Sequence, residues 1–225
     1  MEPGDLHPWN ASLAEAAEIQ IRLSRLVKLQ DEFEEVHTVC GIGLSFKTES
    51  NQVTAAAALL SFPELKLIQS QVKSQPLVFP YTSGYLAFSA GPTILELFKE
   101  FPKPDLVIFP GRGVIHPRGL GLASHLGVWL DLPTLACSKR PIFRDYPVPA
   151  QRRGSFLPLL GKESKLGAVL RTQSKTKSIF VSVGHKLSLS SAIDIVLRCC
   201  TKHRLPEPLR VAGILARRSD TYSDL

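Results

Sequence analysis

Apolar positions recur at two periods along the chain. Ile19, Leu23, Leu26 and Phe33 fall at helical spacing, and Ser12 with Glu15 makes a capping-box pattern, so residues 12–35 are predicted to form an amphipathic helix. Three strands are predicted next, over Thr38–Phe46, Gln52–Ser61 and Leu65–Lys73, with "ESNQ" and "FPE" as turns. Links this short favour antiparallel pairing. In "PYTSGYLAFSAGPTILELFKEF" a loop runs through Gly84, and a helix follows that Gly91-Pro92 interrupts or restarts. Asp105–Phe109 reads as a compact apolar strand, Gly119–Leu130 as a helix and Thr134–Ser138 as a strand. The segment "RPIFRDYPVPAQRRGSFLP" is Pro-rich, basic and irregular, which suits a surface excursion. Leu166–Arg171 and Ser178–Val183 read as a hairpin, and Ser188–Lys202 as a helix whose Ala192, Ile195, Val196 and Cys199 face inward.

The element order is helix, three strands, helix, strand, helix, strand, hairpin, helix. It predicts an α/β fold, a mixed sheet covered by helices. The same order is that of a ribonuclease H-like domain. Thr38–Phe46 and Asp105–Phe109 are both apolar throughout, so they are expected side by side at the sheet centre, covered on both faces. No internal repeat or linker divides the chain, so residues 1–225 are expected to form a single domain. Residues 1–10 and the polar tail 217–225 are expected to be flexible.

Composition narrows the class. A hydrophobic fraction of 44% and a charged fraction of 21% suit a globular protein with a packed core. The net charge of +7 admits an anionic partner, or simply a basic surface. Cys40, Cys137, Cys199 and Cys200 form no C-x-x-C pair, which points to a reduced, intracellular protein, cytoplasmic or nuclear. "MEPGDLHPWN" has neither a basic nor an apolar region, so no signal peptide is expected, and the Asn10-Ala11-Ser12 acceptor pattern is read as coincidence. No apolar run approaches a membrane span, so no membrane partner is expected.

Five stretches carry a resemblance: "GIGLSF", "FPYTSGYLAF", "GRGVIHPRGLGLASHLGV", "SVGHKLSL" and "LPEPLRVA". In order and spacing they resemble the endonuclease V family, which cleaves nucleic acid near deaminated adenine (inosine). The resemblance spans residues 39–212 and implies a ribonuclease H-like fold. It also implies a cluster of carboxylates around magnesium or manganese, which activates water and offsets charge on the leaving oxygen. The positions that resemble the family carboxylates are Gly43, Ala90 and Pro110, none of which carries a ligand atom. Asp105, Glu96, Asp131 and Asp194 are the alternatives weighed, and none stands at the matching place. No metal site and no cofactor is therefore expected, except under an active-enzyme reading with displaced ligands.

The parts that resemble the nucleic-acid surface remain. Tyr81 matches an aromatic wedge beside the displaced base. Gly111 and Gly113 flank a tight turn, where missing side chains let backbone approach a base edge. His116 and Arg118 match the base pocket, Lys139 a place near the scissile phosphate, and His185 a histidine of the catalytic centre; Lys139 and His185 are the residual catalytic candidates. Arg112 stands where the familiar motif has a neutral residue, which suggests a fixed guanidinium in place of a divalent ion. His125 is read as a core histidine, and Arg152 and Arg153 as loop charges within reach of a phosphate backbone. Three readings stand. One is a noncatalytic binder of DNA or RNA, single-stranded or inosine-containing. One is an active inosine-specific endonuclease. One is an interaction subunit whose basic surface meets a protein or a structured RNA.

Overall fold

The structure, a computed structural model, describes residues 6–47, 49–142, 144–160 and 165–222. Among these residues eight strands form one mixed sheet: β1 (Thr38–Lys47), β2 (Gln52–Ser61), β3 (Leu67–Pro76), β4 (Leu106–Pro110), β5 (Thr134–Ser138), β6 (Phe156–Leu160), β7 (Lys165–Leu170) and β8 (Ile179–His185). Their order is β3-β2-β1-β4-β5-β8-β7-β6. β1, β4 and β5 run parallel, and every other pairing is antiparallel. The described residues form five helices, α1 (Leu13–Ser24), α2 (Leu86–Glu100), α3 (Leu122–Leu130), α4 (Leu189–Cys199) and α5 (Glu207–Tyr222); the last four pack on the sheet, and α1 packs on α3. None of the helices described is long and apolar enough to cross a membrane.

Strand alternation divides the core between the two faces. Val107 and Phe109 of β4 join Cys40 and Ile42 against α2 and α3. Leu106 and Ile108 join Val39 and Leu135 in a second cluster with α4 and Leu209 of α5. This is the central β1–β4 pairing expected from two apolar strands, with Val39 opposite Leu106 and Gly41 opposite Ile108.

Several elements differ from the sequence pattern, each for a local reason. The first helix ends at Ser24. Beyond it, the Lys28 amide donates to His185 Nδ1 at 3.2 Å, and Lys28 and Glu32 exchange backbone hydrogen bonds with Lys186, so the segment lies extended on the sheet end. β3 starts two residues later than expected because Leu65 is in a turn, with φ of 58°. α2 runs unbroken through Gly91-Pro92, held by buried Ala87, Ala90, Ile94 and Phe98 on one side. β6 was hidden in the Pro-rich segment; its Pro158 is tolerated because β6 is an edge strand.

Parts of the two stretches expected to be flexible make defined contacts, while residues 1–5 lie outside the described residues. Leu6 to Asn10 pack on α2 and α3 with His7 buried. Residues 217–222 continue α5, whereas 223–225 lie outside the described residues. α5 escaped notice because its buried face is small, built from Leu209, Ala212 and Ala216 with Gly213 beside them. That face lets the helix backbone lie directly on β1. A Cβ added at Gly41 would overlap Pro208, and one at Gly43 would overlap the Ala212 carbonyl and the Gly213 amide.

Candidate functional site

Parallel strands leave a crevice at their carboxyl ends. Here the ends of β4 and β5 lie level, with Pro110 opposite Cys137. The chain leaves β4 through Gly111, whose φ of 95° lies in the left-handed region where a side chain is strained. The turn is then pinned to β8. Ser182 Oγ accepts from the Gly113 and Ile115 amides at 3.2 Å, and the Val114 amide donates to the Val183 carbonyl at 2.8 Å. A side chain at Gly113 would run into that carbonyl, so packing on β8 accounts for this glycine.

The pinned turn, the loop before α2 and the chain after β5 enclose a cavity of about 470 Å³. Gln20, Tyr81, Gly84, Arg112, His116 and Arg118 are among its walls, together with Arg140 beyond β5. Among the described residues that line it there is no Asp or Glu, whereas Arg112, Arg118 and Arg140 all do line it. A cavity of this size suits a nucleobase-sized group with part of its backbone.

The wall is held by one polar cluster. Arg118 Nε donates to Gln20 Oε1 at 2.6 Å, and its Nη2 donates to the Gly84 carbonyl at 2.9 Å. Gln20 Nε2 donates to the Gly84 and Leu120 carbonyls at 3.1 and 3.0 Å. Arg118 also lies over the Tyr85 ring, 4.3 Å from its centroid. Arg118 is thus committed to holding Gly84, with its charge at the cavity wall. Arg112 makes one bond, from Nη2 to the Ile142 carbonyl at 3.3 Å.

His116 is 8% exposed. Its Nδ1 accepts from the Arg118 amide at 3.3 Å, which places the ring proton on Nε2. That Nε2 is buried and makes no well-formed hydrogen bond among the described residues, although the Gly84 backbone lies close enough to raise the ring's pKa in part. Burial, and next the Arg118 charge, push its pKa down to about 4, so the ring is neutral at pH 7. It offers a buried donor to an acceptor oxygen. Tyr81 stands at the rim, 56% exposed, with its ring centroid 4.7 Å from that of Phe46.

The other predicted residues fall elsewhere. Lys139 is exposed between Ser138 and Arg140, which do line the cavity. His185 is not brought to it. Thr134 at the start of β5 pairs with His185, whereas Ser138 at its end pairs with Phe180, so His185 lies at the opposite end of the sheet. There its Nε2 is 3.7 Å from Asp131, and Lys186 Nζ is 2.7 Å from the same carboxylate. Burial lowers the His185 pKa, and the Lys186 hydrogen bond lowers that of Asp131. Arg153 donates to the Thr172 and Leu197 carbonyls at 2.8 Å, anchoring its loop, while Arg152 is exposed. His125 is a core histidine, fully buried in α3.

Gln20 and Arg140 were missed in the sequence. A polar residue beside Ile19 and Leu23 on the apolar face of α1 was the available signal for Gln20. Arg140 had none beyond its place next to Lys139.

A mixed sheet of this order, with a basic crevice at the parallel strand ends, defines a ribonuclease H-like α/β protein. The chain matches the Endonuclease V family model over residues 21–214 and belongs to the endonuclease V family. It is 42% identical to Endonuclease V of Trichormus variabilis over 212 residues, covering 93% of this chain and 96% of that one. The Streptomyces avermitilis Endonuclease V crystal structure superposes with a TM-score of 0.90 at 37% identity, covering 96% of each chain. That of Ciona intestinalis, in complex with a 24mer DNA containing an inosine followed by a ribo-adenosine, gives 0.80 at 29% identity, covering 93% and 97%.

The divalent ion that the family implies finds no fit at the matching positions. Extending the β1–β4 register by two residues sets Gly43 level with Pro110, and neither has a side-chain oxygen. Ala90 is fully buried in the core of α2. The space beside Gly43 is filled by the α5 backbone. The alternative acids are engaged elsewhere. Asp105 accepts from the His37 and Thr38 amides at the start of β4, Glu96 pairs with Lys99, Asp131 with Lys186 and Asp194 with Arg198. Among the described residues, no three His, Cys, Asp or Glu side chains form a group able to hold a metal ion.

Proposed function

We propose that this protein binds inosine-containing DNA or RNA strands in the β4–β5 crevice and does not cleave them. The observation that carries this reading is a contrast within one site. The cavity retains a buried neutral donor at His116, an aromatic at Tyr81 and an acid-free lining with three arginines. The matching carboxylate positions are Gly43, Ala90 and Pro110, with Gly43 packed under α5. Arg112 supplies a fixed positive charge two residues past Pro110, suited to a phosphate oxygen. A donor at His116 favours a base that presents a keto oxygen over one that presents an amino group. Tyr81 stacks against the neighbouring base and offsets part of the cost of unstacking it.

A second reading, an active endonuclease, is favoured by the names of relatives about as similar as that of T. variabilis. Fluorescence anisotropy separates the ligand question from the catalytic one. Matched inosine and adenosine single strands are titrated in EDTA and again with manganese. Tighter binding of the inosine strand in EDTA is expected. Binding that appears only with manganese would refute the metal-independent site.

A further inference from the structure

A strap of residues 6–10 crosses the outer side of α2 and α3, away from the sheet. The Leu6 carbonyl accepts from Arg22 Nη2 of α1 at 3.1 Å, and the Trp9 ring fills the space that a side chain at Gly91 would take. Between them His7 is buried, with its Nε2 2.7 Å from the Nε2 of His125. The rings of Trp9, Trp129 and Phe88 surround His7 at centroid distances of 4.5, 4.7 and 5.1 Å.

The proton positions follow from the partners. His7 Nδ1 is 2.9 Å from the Pro8 carbonyl, which can only accept, so Nδ1 carries the proton and Nε2 is a bare acceptor. His125 must then donate from Nε2, which leaves its own Nδ1 bare. That atom is buried and has no hydrogen-bond partner among the described residues. The neutral pair therefore holds two protons and one hydrogen bond. A third proton has no place. On His7 Nε2 it would set two N–H groups face to face at 2.7 Å. On His125 Nδ1 it would place a charged donor in an aromatic shell with no acceptor.

We infer that the His7–His125 pair is a proton-operated latch, which docks the strap while both rings are neutral and releases it when a third proton enters. The charged surroundings leave the added proton uncompensated. Arg22 of α1 repels it at His7, and a proton on His7 repels one on His125. Glu15 and Glu18 of α1 line the groove over His7, but neither hydrogen-bonds to the pair, and Glu15 is held by Ser12. α2 and α3 contribute Phe88, Trp129 and His125 itself to the ring contacts. Burial is the largest cause holding both imidazoles below their ordinary pKa. Release withdraws Trp9 from Gly91 and the Leu6 carbonyl from Arg22. It thereby frees one side of α1, whose Gln20 holds the cavity wall.

Amide hydrogen exchange on the full chain tests the latch. Rates at about pH 7.5 and about pH 5, corrected for intrinsic exchange, span the ordinary histidine pKa of about 6.5. Protection of residues 6–12 should fall by roughly tenfold or more at the lower pH, one pKa unit being a factor of ten. Amides of β8, where His185 sits, should keep their protection. The two tryptophans of the chain, Trp9 and Trp129, both touch His7, so intrinsic fluorescence should report the same transition. The double variant His7→Phe/His125→Phe, ring for ring, should keep the strap protected at both pH values. Unchanged strap protection in the unaltered protein would overturn the latch. So would an equal loss in the double variant, and the unaltered protein decides the matter even if that variant fails to fold.

Discussion

The β4–β5 crevice and the β1–α5 seam lie a few residues apart, yet they are built on opposite rules. The crevice is open, basic and polar, with a buried, neutral ring at His116 and a cluster that holds Gly84 in place. The seam is closed and lacks side chains, with Gly41 and Gly43 lying under the backbone of α5. At the crevice rim an exposed side chain such as Tyr81 can be exchanged with little effect on packing. In the seam even one Cβ has no room. The family likeness thus survives in the crevice proposed to bind nucleic acid, and the chain departs from it at the positions that match the family carboxylates.

Acidification should have the largest effect. His7, His116, His125 and His185 are all neutral and buried, and burial is the largest cause depressing each pKa. A histidine with a folded pKa below its unfolded value contributes stability that is complete above pH about 6.5 and is lost as pH falls from there through the folded pKa. For His116 that window runs down to about 4, and the shift corresponds to about 3 kcal/mol. Urea denaturation across this range should show stability falling steeply with acid. A flat profile would mean that the crevice histidine is not held neutral by burial.

Gly43→Asp should come next. The new Cβ meets the Ala212 carbonyl and the Gly213 amide, so α5 must move or strain. A loss of about 3 kcal/mol is expected in urea denaturation. Ala90→Glu would bury a carboxylate in the α2 core. A variant Gly43→Asp as stable as the parent would show that the seam opens easily, and would weaken the contrast.

Crevice substitutions should spare stability and act on binding. Tyr81→Ala, at an exposed rim position, should cost about 1–3 kcal/mol of strand affinity in anisotropy titrations. Arg112→Ala should have the smallest effect. It should weaken inosine and adenosine strands alike and reduce the slope of log affinity against log salt by about 0.7. An unchanged slope would remove Arg112 from the phosphate contact.

Much of the fold was legible in the sequence, because long apolar runs and short turns speak directly. Gln52–Ser61 and Thr134–Ser138 match their strands at both ends, and the β1–β4 neighbourhood follows from two runs apolar on both faces. The misses share a physical cause, since the deciding partner is far away in sequence. Residues 25–35 have helical spacing, but past the turn at Arg25–Val27 the backbones of Lys28 and Glu32 spend their hydrogen bonds on Lys186 and His185. α5 hides because alanine and glycine give a weak periodic signal, and their value appears only against Gly41 and Gly43. Around the cavity, the glycine and histidine motifs marked residues that the fold brings together, Gly111 and His116 among them. They did not reveal that His185 stands at the other end of the sheet, since strand direction decides that.

The central claim is that recognition persists here without metal-dependent cleavage. Single-turnover assays test it most directly, with protein in excess over an end-labelled inosine strand and manganese supplied. The expected result is a strand that shifts with bound protein and stays intact. Specific cleavage near the inosine, reproduced in independent preparations and abolished by EDTA, would contradict the account.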